Sequence, residues 1–151
     1  MVNALEIRKQ FLSTISGKHS GHRSSISPHA PYSVSPELFE LIDNFPNNNL
    51  ITIHNQESYA EDDFFKNRNG DFLKLYEKLN IDISFFKASG KSSLQTFLPY
   101  FKKKQPVILV HNVCTMEDDF TFIKNSQFRI PKIILLSFSI NILMLGKVLL
   151  I

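Results

Sequence analysis

Leu50-Ile51-Thr52-Ile53-His54-Asn55-Gln56-Glu57-Ser58-Tyr59-Ala60-Glu61 holds a strand, a loop and a helix start within residues 50–61. Residues 50–53 are compact and β-branched, which favours an extended chain. His54 ends the run. Ser58 followed three residues later by Glu61 has capping-box spacing, the signature of a helix N-terminus. The helix is predicted to run to about Asn67, with Gly70 as a break.

The same order recurs on both sides. Downstream, Val107-Ile108-Leu109-Val110 is apolar throughout, as expected of a parallel strand buried on both faces. His111 ends it, and Thr115-Met116-Glu117-Asp118 repeats the capping box with Asp118 in third place. Upstream, residues 24–28 can form a short strand with His29 just past it. Ser35-Pro36-Glu37 then combines a serine cap, a proline at the first helical position and an acid in the first turn. That helix is expected to reach about Phe45. Residues 81–86 alternate in polarity and predict a further strand, ending without a histidine. Helical spacing also appears over residues 2–15, over 72–79, and over 94–101 where Pro99 interrupts it. Strand, loop and helix in alternation indicate an α/β parallel sheet.

Composition bounds this reading. The chain has 151 residues, 43% hydrophobic and 21% charged, a globular balance. A complete (β/α)8 barrel needs at least roughly 200 residues, so the chain is too short to be one. Net charge is +3. The run Lys102-Lys103-Lys104 reads as a solvated helix end rather than a basic face with interleaved aromatics, which argues against a nucleic-acid partner. A single cysteine, Cys114, cannot form an internal disulfide and fits a reducing compartment. The N-terminus lacks the apolar segment of a signal peptide, so a cytoplasmic location is expected. Residues 133–151 are apolar apart from Ser137, Ser139, Asn141 and Lys147, which makes a membrane anchor a third reading, disfavoured by those polar interruptions.

Strand C-termini of a parallel sheet emerge on one side, and ligands bind there. His29, His54 and His111 each occupy that position in a different unit. Neutral imidazoles bind zinc or iron, and a further one can orient a water on the metal. Glu57 shares the loop of His54, where a carboxylate can take a proton from such a water and pass it to a leaving amine. A single histidine at a strand end is ordinarily just a polar loop residue; three in register are what point to a site. Other features carry less. His19 and His22 lie in a Gly/Ser loop without further ligands. Gly90-Lys91-Ser92 imitates the end of a phosphate loop, but Phe85 stands where that motif needs glycine. Cys114 reads as core packing.

These stretches resemble one enzyme group. Ser27-Pro28-His29-Ala30-Pro31-Tyr32-Ser33-Val34-Ser35-Pro36-Glu37-Leu38 is similar to the HAPYTVSPEL segment of the amidohydrolase superfamily, in its aminohydrolase, chlorohydrolase and adenosylhomocysteine-deaminase-like branch. His54 to Ser58 with Glu61 resembles that group's H-x-x-E-[ST]-x-x-E, and residues 109–118 resemble its LVHNTxTxxED. Order and spacing agree over about two thirds of the chain, residues 24–123. The resemblance implies a partial TIM (β/α)8 barrel, about its fourth to sixth β/α units. It implies that His54 is the metal ligand, Glu57 the proton shuttle, His111 a catalytic neighbour of the metal and substrate, and His29 a substrate contact. The implied chemistry is hydrolysis of a non-peptide C–N bond in a small heterocyclic or nucleoside-like substrate, by a hydroxide on zinc or iron.

The departures are as informative. The group's H-x-H ligand pair is missing, and no aspartate follows Asp119 to serve as its late ligand. Residues 1–127 therefore read as part of the hydrolase domain, and residues 128–151 as an apolar tail that departs from the family pattern. The alternative is an inactive remnant, or a half-barrel that needs a partner chain. Open sheet edges would also offer a route to self-association.

Overall fold

The computed structural model describes residues 25–103, 105–126, 132–137 and 147–150, together with Gln10 and Ser13. Gln10 and Ser13 are helical, with the Ser13 hydroxyl donating to the Gln10 carbonyl at 2.8 Å. The rest of the helix expected over 2–15 lies outside the described residues, as do His19 and His22.

A 3-10 turn, Pro31–Ser33, leads into α1 (Pro36–Asp43). The cap is the expected one: Ser35 Oγ accepts from Leu38 N at 3.3 Å, with Pro36 at the first position and Glu37 in the first turn. Replacing Ser35 with alanine is expected to cost about 1 kcal/mol, readable as a small drop in the urea midpoint. Strand β1 (Ile51–Asn55) follows, then α2 (Tyr59–Asn67) and α3 (Asp71–Lys78). Arg68, in the left-handed conformation at φ 52°, ends α2, and Gly70 at φ 86° opens α3. The short helix α4 (Ser93–Phe97) runs into a 3-10 turn, Leu98–Tyr100, at the expected Pro99 interruption. Strand β2 (Val107–His111), α5 (Glu117–Ser126), β3 (Ile133–Ser137) and β4 (Lys147–Leu150) complete the order.

The strands form one sheet in sequence order. β1 pairs with β2 and β2 with β3 in parallel; β4 is antiparallel to β3. The result is a mixed α/β fold around a three-stranded parallel sheet. Ile51, Ile53, Val107, Leu109, Ile133 and Leu135 form one face, buried beneath Phe39, Ile42, Leu94, Phe97, Leu98, Phe101 and Ile123. The other face, with Thr52, His54, Ile108, Val110, Ile134 and Leu136, is half-buried.

Three expectations are corrected. Residues 81–86 are not a strand. β1 hydrogen-bonds directly to β2, which leaves no slot between them. Asp82 instead folds back on Ser84, accepting its N–H at 2.8 Å, an Asx turn that breaks extension. Phe86 turns inward and stacks on Phe64 with ring centroids 4.2 Å apart. Residues 24–28 likewise form no ladder strand among those described. They run along the outer edge of β1, where Thr52 N donates to Ser27 Oγ at 3.0 Å and His54 N to the His29 carbonyl at 2.9 Å. Pro28 has no N–H to continue a ladder. Finally, the apolar run from 133 is strand where it is described, and among the described residues no helix is long and apolar enough to cross a membrane.

Candidate functional site

Parallel register places His54 opposite Val110, and Asn55 opposite His111. Simple alternation would therefore send His54 and His111 to opposite faces of the sheet. They meet instead: His54 Nδ1 and His111 Nε2 are 2.7 Å apart and their rings stack at 4.8 Å. Backbone conformation accounts for this. His111 and Asn112 have φ of 76° and 56°, left-handed values that turn the end of β2 out of its pleat. Asn112 holds the turn. Its amide donates to the Leu109 carbonyl at 2.7 Å, its N–H donates to the Asn55 carbonyl at 2.9 Å, and its side-chain oxygen accepts from Asn55 Nδ2 at 3.0 Å.

His29 and Glu57 join the same place. The His29 ring lies 4.8 Å from that of His54. Glu57 Oε1 is 3.8 Å from His111 Nε2, on a side chain 54% exposed. His54 Nδ1 or Nε2, His111 and Glu57 offer one donor atom each within 4.8 Å of one another. The structure thus brings all four residues singled out in the sequence to one spot at the strand ends. Burial, and then the neighbouring rings of His111 and His29, lower the His54 pKa, while Glu57 opposes them. Two imidazoles beside a carboxylate are a donor set suited to a divalent cation.

A buried polar network that the sequence reading passed over supports this cluster. Gln56 is fully buried at φ 47°. Its amide donates to Asp119 Oδ2 at 2.8 Å and to Asp62 Oδ1 at 3.3 Å, and its side-chain oxygen accepts from Thr115 Oγ1 at 2.7 Å. Asp119 also accepts from Ser92 Oγ, from Gln95 Nε2 at 3.0 Å and from Met116 N at 3.2 Å. The second capping box therefore sits one residue later than expected, with Asp119 in the role read for Asp118. The first box is displaced as well. Ser58 makes no side-chain cap, and the Glu61 carboxylate reaches past it to the N–H groups of Gln56 and Glu57. One signal in the sequence does point to part of this: the dipeptide His-Asn occurs at the end of both strands, 54–55 and 111–112.

Burial pushes the pKa of Glu61 from its ordinary 4.5 up to about 7, against the hydrogen bonds it accepts. Between those values the folded chain keeps a proton that the unfolded chain has released, so this group's contribution to stability is full below about pH 4.5 and lost as pH rises through 7. The loss amounts to at most about 3 kcal/mol. Urea midpoints at pH 5 and pH 8 are expected to differ in that direction, and Glu61→Gln to reduce the difference. Burial also raises the Cys114 thiol, in keeping with a packing role.

An apolar cleft of about 610 Å³, lined by Phe64, Tyr76, Phe85 and Phe97 among others, includes none of the four site residues.

A solved deaminase shares this fold. The crystal structure of aminofutalosine deaminase from Helicobacter pylori matches 88% of the chain with a TM-score of 0.68 at 18% sequence identity. The chain spans 32% of that enzyme's length. No family model and no curated protein matches the chain. At this identity the likeness speaks for the arrangement of helices and strands, and the chemistry is argued from the site.

Proposed function

We propose that the chain carries the central part of a metal-dependent amidohydrolase site of the deaminase type, acting on a C–N bond of a small heterocycle. The observation that carries this is the convergence of His54, His111 and Glu57 at the C-terminal ends of two parallel strands. The fold shared with a deaminase and the three sequence motifs support it. On this reading β1, β2 and β3 are adjacent strands of a (β/α)8 barrel, and the half-buried face bearing Thr52, His54, Ile108 and Val110 lines its interior.

The donors fit zinc or iron, with His54 as the principal ligand and His111 and Glu57 beside it. A bound divalent cation supplies an activated water at neutral pH. Glu57 is solvent-accessible and close to His111, placed to accept a proton from water and deliver it to a departing amine. His29, exposed and against His54, is placed to contact the substrate ring. The H-x-H pair and late aspartate of the resembled group are not in this sequence, so the ligand set is partial.

Metal content tests the reading. Purified protein equilibrated with zinc and then desalted is expected to retain about one ion per chain. Release of ammonia from aminated purines or nucleosides would establish activity. Protein that keeps no zinc would overturn the metal-site reading. The half-exposed sheet face favours a second reading, in which the chain needs complementary barrel segments for turnover. Stoichiometric metal without ammonia release would support it.

A further inference from the structure

Glu57 must point at His111 to act in the site proposed above, yet among the described residues no hydrogen bond holds its carboxylate. Its direction has to come from its main chain. That main chain is held from one side. Gln56 N donates to Glu61 Oε1 at 3.1 Å and Glu57 N donates to Glu61 Oε2 at 3.3 Å. The left-handed φ of 47° at Gln56 turns two successive N–H groups the same way, a small anion-binding nest that a single carboxylate fills. Glu61 is itself 1% exposed, and Ser93 Oγ donates to its Oε1. Across the loop, Cys114 N donates to the Gln56 carbonyl at 3.1 Å, tying the same peptide to the loop after β2.

Glu61 also stands where a helix-capping acid would stand. A cap would return to the N–H of Ser58, and this carboxylate does not. We infer that Glu61 is a positioning residue: its carboxylate clamps the Gln56–Glu57 peptide and thereby aims the Glu57 carboxylate at the His54–His111 pair. The inference rests on the functional reading above, but its main test needs no metal.

In metal-free protein at pH 8, Glu57→Ala is expected to move the ring proton and carbon resonances of His111. Glu61→Gln keeps the side-chain volume but turns an amide toward one of the two N–H groups. It is expected to move the same His111 resonances in the same direction and to expose the Gln56 and Glu57 amides to hydrogen exchange. In the double variant, the His111 shifts are expected to equal those of Glu57→Ala alone, because the two residues act in series. A purely structural role for Glu61 would instead give shifts that add. His111 signals that stay at wild-type positions in Glu61→Gln would overturn the inference. Should Glu61→Gln fail to fold, Glu61→Asp withdraws the same charge by one methylene and is read in the same way. Zinc affinity separates the two claims. With a working metal site, Glu61→Gln is expected to weaken zinc by about 10- to 100-fold, and by less than about 2-fold in the Glu57→Ala background. Wild-type protein that binds no zinc sinks the functional reading, while the His111 shifts still decide the role of Glu61.

Discussion

Asp119→Ala is expected to destabilise the chain by about 3–5 kcal/mol, a large share of the roughly 5–15 kcal/mol that holds a domain of this size. The side chain is 1% exposed and accepts four hydrogen bonds: from Ser92 Oγ and Gln95 Nε2 on one oxygen, and from Gln56 Nε2 and Met116 N on the other. Alanine leaves the buried donors of Ser92 and Gln56, and the partly buried ones of Gln95 and Met116, without that acceptor, and each fully buried stranded donor costs about 1–3 kcal/mol. Water entering the gap offsets part of the sum. Asp119→Asn keeps one acceptor oxygen but sets an NH2 against two donors, so a smaller loss of about 1–3 kcal/mol is expected. Urea unfolding followed by circular dichroism reads both. An Asp119→Ala midpoint equal to that of the wild type would mean that the network contributes nothing to folding. Because Asp119 joins α5 to the α4 cap and to Gln56, Asp119→Ala and Gln56→Leu should also combine non-additively.

This network marks where sequence reading stops. Residues 51–54 and 107–110 are legible as strands because β-branched and apolar runs are bounded by polar loops. The helix starting at Pro36 is legible from its cap alone. Those signals are local, within a few residues of the feature they announce. Asp119 finds Gln56 63 residues away and Ser92 27 residues away, and no spacing rule links them. Residues 81–86 fail for a related reason. Their alternation is real, but a strand needs a partner, and the pairing of β1 with β2 excludes one. Residues 133–136 show the converse: apolar on successive positions, they carry no period to read, and the pairing with β2 and β4 makes them a strand.

That the candidate residues converge was legible in the sequence, but the geometry of their meeting was not. His54, Glu57 and His111 follow from the rule that parallel strands present their C-terminal loops together, whereas His29 arrives on a segment that is no strand but runs along the edge of β1. Which way each ring points does not follow. Period-two alternation separates His54 from His111, and the left-handed pair His111-Asn112 reunites them. Asparagine tolerates that conformation better than most residues, so Asn112 is the trace the geometry leaves in the sequence.

His54→Ala is expected to weaken zinc binding by at least about 100-fold, and His111→Ala by a similar factor. Each removes one of the three donors grouped among the described residues, and a catalytic zinc site needs about three from the protein. The 2.7 Å between His54 Nδ1 and His111 Nε2 is a hydrogen-bond length, so one proton sits between the two rings when no ion is bound. Both lone pairs face a cation only after that proton moves to the far nitrogen of its own ring, a change of tautomer that leaves the imidazole neutral. His29→Ala is the control. Its ring packs on His54 but lies outside the three-donor group, so a change of less than about 5-fold is expected. Isothermal titration of zinc into each variant measures these affinities. Equal losses for all three histidines would mean that zinc is held by a diffuse imidazole cluster. A loss confined to His54 and His111 would locate the ion at the strand ends, where the fold brings these two residues together despite their alternation.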